Sequence, residues 1–146
     1  MLTTESKPTS VVPPSVAEAS VGLDLTLAIL GSRFPGDTGS ARFRQLALVN
    51  IIHIETLRGS GPTGIHIARL SGAHPTQIDR LAKELEERGV IDRTLATKRK
   101  GAKWVKILSV RADAVCRLKK AHVEATGREV QIFPNIPSTT PALPHA

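Results

Sequence analysis

The chain is poor in the residues that form disulfides, base-stacking platforms and membrane spans. Its single cysteine, Cys116, excludes an intramolecular disulfide and is typical of a reducing compartment. It has no tyrosine, three phenylalanines and one tryptophan, too few for single-strand binding by base stacking. The longest apolar run, Leu25 to Leu30, is too short to cross a bilayer, and no secretory leader is evident. We therefore expect a cytoplasmic protein without membrane association.

Sequence signatures of catalysis and of cofactor binding are also missing. There is no Gly-x-x-x-x-Gly-Lys phosphate loop and no Gly-x-Ser-x-Gly nucleophile elbow. Four histidines fall in different predicted elements, and none forms an i, i+4 ligand pair with another: His53, His66, His74 and His122. We expect a protein that is not an enzyme and that has no cofactor or metal site.

What the chain does contain is an excess of positive charge. Twenty Lys and Arg residues against 13 Asp and Glu give a formal net charge of +7. Such a balance favours a polyanionic partner, nucleic acid first and an anionic membrane surface second. Between residues 88 and 106, seven cations accompany one acid, Asp92, so nearly the whole excess lies in one segment. The seven are Arg88, Arg93, Lys98, Arg99, Lys100, Lys103 and Lys106.

The chain divides into one central domain and two proline-rich ends. We predict a disordered tail over residues 1–22, a domain over 23–127 and a proline-rich tail over 128–146. Within the domain, a short apolar helix begins near Leu23, and a long helix runs from about Ser40, its expected N-cap, to Arg58. Residues at steps of three and four predict its core face, widened by Val49 and Ile52: Phe43, Leu46, Ala47, Ile51, Ile54 and Leu57.

Residues 63–89 predict two helices joined by a tight turn. Thr63 can cap the first helix, which stops at Ser71-Gly72-Ala73. His74-Pro75 then opens the second, with proline in the first turn where its missing N–H does no harm. Its inward positions are Ile78, Leu81, Ala82 and Leu85, and Gly89 ends it. Two helices and a short glycine-containing turn are typical of a helix-turn-helix.

A basic β-hairpin and a last helix are predicted after this pair. The hairpin runs from Val90 to Leu108 with its tip at residues 97–102, and we interpret Trp104 as a packing residue. Ser109 is the expected cap of a helix to about Thr126. On that helix the lone Cys116 is interpreted as a small core residue.

Residues 75–93, Pro-Thr-Gln-Ile-Asp-Arg-Leu-Ala-Lys-Glu-Leu-Glu-Glu-Arg-Gly-Val-Ile-Asp-Arg, resemble the recognition helix and wing of MarR-type transcriptional regulators. The resemblance extends over about residues 40–125 and is strongest over 64–93. It implies a mainly α winged helix-turn-helix protein with a small β-hairpin wing, which binds operator DNA as a two-fold symmetric homodimer. Relatives are often released from DNA by a small phenolic or oxidant signal. The wing tip carries Lys98-Arg-Lys-Gly-Ala-Lys where the family has Asp-x-Arg.

The resemblance also implies which residues contact DNA. Gln77 could bond an adenine edge, and Arg80 could bond guanine or a phosphate. Thr76, at the helix N-terminus, suits a phosphate. Asp79 could accept from a cytosine amine, or could hold Arg80 or Arg93 in place. The expected contact set is Thr63, His74, Thr76, Gln77, Asp79, Arg80, Lys83, Arg93, Lys98, Arg99, Lys100 and Lys103.

The functional prediction is a sequence-specific double-stranded DNA-binding regulator, with repression as the default mode. The helix at 75–88 would enter the major groove, and the wing at 92–107 would contact the backbone or minor groove. Apolar surface between the first long helix and the last helix would form the dimer seam and could hold a small-molecule effector. Three alternatives stay open: a DNA-binding accessory or architectural protein without promoter control, a winged helix used only for protein contacts, and a basic protein that binds RNA or anionic lipid.

Overall fold

The computed structural model describes residues 21–97 and 103–131. Within these ranges the chain forms five helices and two antiparallel strands. Their bounds are α1 Leu23–Gly31, α2 Gly39–Leu57, α3 Gly64–Ser71, α4 Pro75–Glu87, β1 Ile91–Ala96, β2 Val105–Val110 and α5 Ala114–Thr126. The architecture is therefore mainly helical with a small hairpin, which is compatible with a winged helix. The tail predictions for residues 1–20 and 132–146 lie outside the described residues.

The long helix α2 begins one residue earlier than predicted, and its cap is a different residue. Thr38 has extended backbone angles, and its hydroxyl accepts a hydrogen bond from the Ala41 N–H. This contact satisfies one of the free donors of the first turn. The prediction of Ser40 as N-cap was wrong, because Ser40 already lies inside the first turn of the helix.

The core face of α2 is rotated from the predicted stripe. Val49 and Ile52, which were expected only to widen the stripe, are fully buried, whereas Phe43 is 67% exposed and Leu57 is 49% exposed. Two polar side chains, Gln45 and Glu55, lie on the buried face instead. A polar residue can occupy such a position when its hydrogen bonds are satisfied, and both have partners from distant elements. The apolar pattern alone therefore indicated the wrong face.

The helix pair α3–α4 is confirmed in its boundaries and in its caps. The Thr63 hydroxyl accepts from the His66 N–H at the start of α3. Gly72, with φ of +72°, ends α3 in the left-handed conformation that glycine adopts without strain. His74 caps α4, and Pro75 occupies its first turn. The predicted inward positions of α4 are all buried: Ile78, Leu81, Ala82 and Leu85.

The end of α4 passes directly into the hairpin. The Gly89 N–H donates to the Glu86 carbonyl and the Val90 N–H donates to the Leu85 carbonyl, the two bonds of a Schellman motif. Strand β1 pairs with β2 from Ile91 opposite Val110 to Ala96 opposite Val105. The segment before α3 also reaches the hairpin, since the Leu108 N–H donates to the Pro62 carbonyl at 2.8 Å. The hairpin is thus fixed to both helices of the pair.

Three predictions for the C-terminal half were wrong. Ser109 lies within β2, and α5 begins only at Ala114. Cys116 is exposed, so it is not a core residue. Trp104 is 68% exposed and precedes β2, so it does not serve as core packing. The buried face of α5 consists of Ala114, Leu118 and His122. The periodicity of the apolar residues did not indicate that His122 would be buried.

The core is shared by all five described helices and the base of the hairpin. Its fully buried members include Ile29, Ile52 and Leu85 from the helices, with Ile91 from β1. It extends two residues before the predicted domain boundary, because Val21 is buried and its N–H donates to Asn50 Oδ1 at 3.0 Å. Among the described residues, no helix is long and apolar enough to cross a membrane.

Candidate nucleic-acid interface

The outer face of α4 carries a stripe of polar side chains that take no part in the core. Thr76, Arg80 and Lys83 are exposed and follow one another at steps of four and three residues, which places them on one side of the helix. The opposite side is the buried face formed by Ile78 and Leu81 and their neighbours. One face of α4 therefore holds the helix in the protein. The other presents the Thr76 hydroxyl and the cations Arg80 and Lys83 to solvent, with the exposed acid Glu87 after them in the last turn.

Two of the expected contact residues act as helix caps. Thr63 Oγ1 accepts from the His66 N–H at 3.2 Å, and His74 Nδ1 accepts from the Thr76 N–H at 3.2 Å. The bond to His74 occupies the Thr76 N–H. Of the Thr76 groups that were expected to contact a phosphate, the side-chain hydroxyl of this exposed residue is therefore the one still available. Thr63 and His74 thus have a structural role in positioning α3 and α4.

Arg93 is held by two carboxylates of α4. Its Nη1 lies 3.1 Å from Asp79 Oδ1, and its Nε donates to Glu86 Oε2. The Arg93 side chain is only 13% exposed, whereas Asp79 is 73% exposed. Of the roles left open for Asp79, the structure therefore has the one in which it holds Arg93. The second partner, the Glu86 carboxylate, was not predicted.

Arg88, the C-cap of α4, is directed into the protein. Its guanidinium donates to Asp37 at 2.8 and 3.1 Å and to Gln45 Oε1 at 3.1 Å, and it lies 3.8 Å from the centre of the Phe34 ring. These contacts join the end of α4 to α2 and to the loop before α2. No local pattern indicated them, since Asp37 is 51 residues away in sequence.

The positive charge of residues 88–106 is consequently smaller than the sequence count suggests. Arg88 and Arg93 are neutralised by acids outside that segment. Lys103 and Lys106 are exposed and have no carboxylate partner among the described residues. Lys98, Arg99 and Lys100, the other expected wing contacts, lie outside the described residues.

A groove of about 350 Å³ separates α4 from the hairpin. Ile65, Ile78 and Leu108 contribute apolar walls, and Trp104 and Lys106 line the hairpin side. The groove brings together three predicted contact residues, Thr63, Asp79 and Arg93. Gln77 belongs to a different, smaller pocket of about 180 Å³ between α4 and α2, with Arg44 also in its lining. The predicted contacts are therefore distributed over both sides of α4.

Glu55 forms a buried polar cluster that joins α2 to α3. It is 6% exposed, and its Oε2 accepts from Ser60 Oγ and pairs with His66 Nε2, both at 3.0 Å. The hydrogen bond with His66, followed by the one from Ser60, lowers the pKa of the Glu55 carboxyl. Arg58 adds a salt bridge at 3.1 Å. No sequence pattern indicated this cluster.

Arg111 connects the base of the hairpin to the start of α5. Its guanidinium donates to Asp113 at 2.8 and 3.2 Å and to Asp92 at 2.9 Å. Hydrogen bonds from Arg111 and then from Arg117 hold the pKa of Asp113 well below its usual range. The hydrogen bonds to Asp113 and then to Asp92 raise the pKa of Arg111. Asp92, the acid that precedes Arg93 in β1, is therefore also neutralised by an ion pair within the protein.

The described residues contain no group of three or more His, Cys, Asp or Glu side chains that could hold a metal ion. His122 is buried and accepts a hydrogen bond from the Arg33 N–H at 2.9 Å, so its role is to join α5 to the end of α1.

Comparisons of the chain with family models, with curated proteins and with solved structures gave no match. The resemblance of residues 75–93 to MarR-type regulators therefore stays a prediction, carried by the residues quoted for it. Any assignment of function depends on the geometry of α4 and the hairpin.

Proposed function

We propose that this chain is a sequence-specific double-stranded DNA-binding regulator of the winged helix-turn-helix class, similar to MarR-type regulators. The observation that carries the proposal is the two-sided character of α4. Its inner face is core, while Thr76, Arg80 and Lys83 form an exposed stripe on its outer side. A helix that projects a polar face with two cations beside a hairpin has the shape that a major groove accepts.

In the proposed complex, α4 lies in the major groove and the hairpin lies on the neighbouring backbone. Arg80 bonds a guanine edge through its two guanidinium donors, and Lys83 contacts a phosphate as a point charge. Lys103 and Lys106, both exposed, add sequence-independent contacts from the hairpin side. Base choice would depend on α4, and the dependence of affinity on salt would depend on the lysines.

We propose further that the protein binds as a homodimer and represses by occluding a promoter. Four large apolar side chains on α1, α2 and α5 are exposed in the single chain, and burial against a second copy would remove them from water: Leu23, Phe43, Leu57 and Val123. Those on α2 and α5 belong to the two helices whose surfaces form the predicted seam. A two-fold dimer would place its recognition helices one helical turn apart, about 34–36 Å.

A protein-contact module is the second candidate, and one observation favours it. Ile65, Leu95 and Trp104 are each more than half exposed, and Ile65 and Trp104 line the groove between α4 and the hairpin. Exposed apolar and aromatic side chains are enriched at protein interfaces. In that case the chain would bind duplex DNA no better than RNA or anionic vesicles of equal charge.

The substitution Arg80→Ala tests the DNA-reading role of α4. On the preferred duplex we expect a loss of about 1–3 kcal/mol in binding free energy, together with relaxed base choice at one position, because a bidentate base contact is removed. Binding is measured by fluorescence anisotropy at physiological salt, with RNA and anionic vesicles as competitors. Arg128→Ala, which removes one exposed positive charge just after the end of α5, is the control and should retain base choice. Unchanged affinity and base choice in Arg80→Ala would contradict the proposal.

A further inference from the structure

Arg93 has an unusual environment for a residue at a candidate nucleic-acid interface. It lies in the middle of β1, opposite Leu108 of β2, and its side chain is 13% exposed. Both of its carboxylate partners, Asp79 and Glu86, belong to α4. They are seven residues apart, which is two helical turns, so they lie along one side of the helix. One guanidinium on the hairpin therefore contacts side chains from two positions of α4 that lie about two turns apart.

This arrangement constrains the hairpin more than a single ion pair would. An isolated exposed pair contributes little, because two long side chains lose freedom for a modest Coulomb gain. Here a planar guanidinium donates in two directions to two fixed positions of one helix, so it limits the angle between α4 and β1. These contacts engage the Nε–H and one Nη1–H of Arg93. Because the side chain is also only 13% exposed, the guanidinium is poorly placed to donate to a phosphate or a base.

The contact also changes the charge that α4 presents. Asp79 and Glu86 flank Lys83 on the helix at spacings of four and three residues. Without a cation beside them, the two carboxylates would repel the phosphates that Arg80 and Lys83 approach. Arg93 offsets one of these two negative charges from the hairpin side, where the groove between α4 and the hairpin is formed.

We infer that Arg93 is a positioning residue for DNA reading and not a DNA contact: it holds the hairpin at a fixed angle to α4 and offsets part of the negative charge of Asp79 and Glu86. The inference rests on the proposed function and specifies the role of one residue in it. It also revises the sequence prediction that placed Arg93 among the direct contacts.

The variants Arg93→Ala and Arg93→Lys distinguish a positioning residue from a phosphate contact. A phosphate contact survives replacement by lysine, because an ammonium also neutralises a phosphate, and its loss in Arg93→Ala lowers the salt slope by about 0.9. A positioning fork is lost in both variants, since one ammonium cannot donate in the two fixed directions. We expect both to bind the preferred duplex about tenfold more weakly while the salt slope stays at the wild-type value.

The carboxylate variant Asp79→Asn/Glu86→Gln completes the test. In that background Arg93→Ala should cause no further loss of preference for the selected duplex over a scrambled one, because Arg93 would have no partner to act through. Arg128→Ala is the matched loss of one exposed charge outside the predicted seam and should leave this preference unchanged. A full tenfold loss from Arg93→Ala in the carboxylate-free background would overturn the inference, as would full binding by Arg93→Lys.

A stability measurement keeps this inference separate from the proposed function. Urea unfolding of the wild type, Arg93→Ala, Asp79→Asn/Glu86→Gln and their combination gives a coupling between β1 and α4 that does not involve DNA. If the wild type shows this coupling but no preference for any duplex, Arg93 does link β1 to α4 and the proposed function is wrong. If there is no coupling, Arg93 does not link β1 to α4, and the inference is wrong whatever the protein binds.

Discussion

At the scale of single residues, buried polar side chains decide how the helices of this protein pack. Gln45 and Glu55 lie on the buried face of α2, where an apolar pattern would place aliphatic residues. Each is satisfied by a group from another element, Gln45 by Arg88 and Glu55 by His66 and Ser60. Such groups contribute specificity to the packing, because any other arrangement would leave them without partners.

Arg88 is the residue whose removal should affect stability most. Arg88→Ala would leave Asp37, whose side chain is 9% exposed, without its cation. An uncompensated and largely buried charge costs about 3 kcal/mol, so we expect the free energy of unfolding to fall by that amount. The measurement is urea denaturation followed by circular dichroism. Arg117→Ala, which breaks an exposed pair with Asp113, serves as the control and should cost less than about 1 kcal/mol.

Glu55 should contribute a pH-dependent part of the stability. Its pKa is lowered in the folded protein relative to the ordinary value of 4.5. The unfolded state therefore takes up the proton first as the pH falls, so this contribution is present above about pH 4.5 and is lost below it. We expect Glu55→Gln to be less stable than the wild type at pH 7, with the difference shrinking as the pH falls through 4.5 to 3.

Denaturant midpoints of the wild type and Glu55→Gln, taken between pH 7 and pH 3, check this prediction. Asp113, whose pKa is also lowered, should make both proteins acid-sensitive, so the diagnostic quantity is the difference between them. A difference that stays constant over the whole range would mean that the hydrogen bonds from His66 and Ser60 do not stabilise the carboxylate form.

At the scale of elements, the junction between α4 and β1 sets the position of the hairpin. Gly89 adopts a φ of +76° there, and a Cβ at this position would lie 2.8 Å from the Cβ of Arg117 on α5. The contact is with the stem of Arg117, close to the helix backbone, so it cannot be relieved by rotation of a side-chain end. The junction therefore requires glycine both for its conformation and for the approach of α5.

A pair of glycine substitutions separates these two requirements. Gly72 at the end of α3 has a similar φ of +72°, but a Cβ there would meet nothing within 4 Å. Gly72→Ala should cost about 1 kcal/mol from left-handed strain alone. Gly89→Ala should cost at least about 1 kcal/mol more, because steric overlap with Arg117 is added. Urea denaturation of the two variants measures the difference, and equal losses would show that α5 does not restrict the junction.

At the scale of the whole molecule, the order of the elements could be predicted from the sequence, but their contacts could not. Proline at the start of α4, glycines at 72 and 89 and the apolar spacing of α4 are local signals, and each was confirmed. The buried face of α2 was predicted wrongly, because its satisfied polar residues depend on partners far away in sequence. The start of α5 was also misplaced, since Ser109 continues β2 by pairing with Asp92.

The candidate site shows the same division between local and distant information. The exposed stripe of Thr76, Arg80 and Lys83 follows from helical periodicity, so it could be predicted. The neutralisation of Arg88 and Arg93 depends on acids in other elements, and the sequence count therefore overstated the free charge of the hairpin. The positive charge that is available for binding is what is left after the internal ion pairs are subtracted.

Selection of bound fragments from random duplex DNA at physiological salt tests the central proposal most directly. We expect an enriched, two-fold symmetric motif with half-sites one helical turn apart, because two copies of α4 would read the same sequence in opposite directions. Arg80→Ala should lose the preference at one position of each half-site. No enriched motif, with binding that disappears as the salt concentration rises, would contradict the proposed regulator and favour an architectural or protein-contact role.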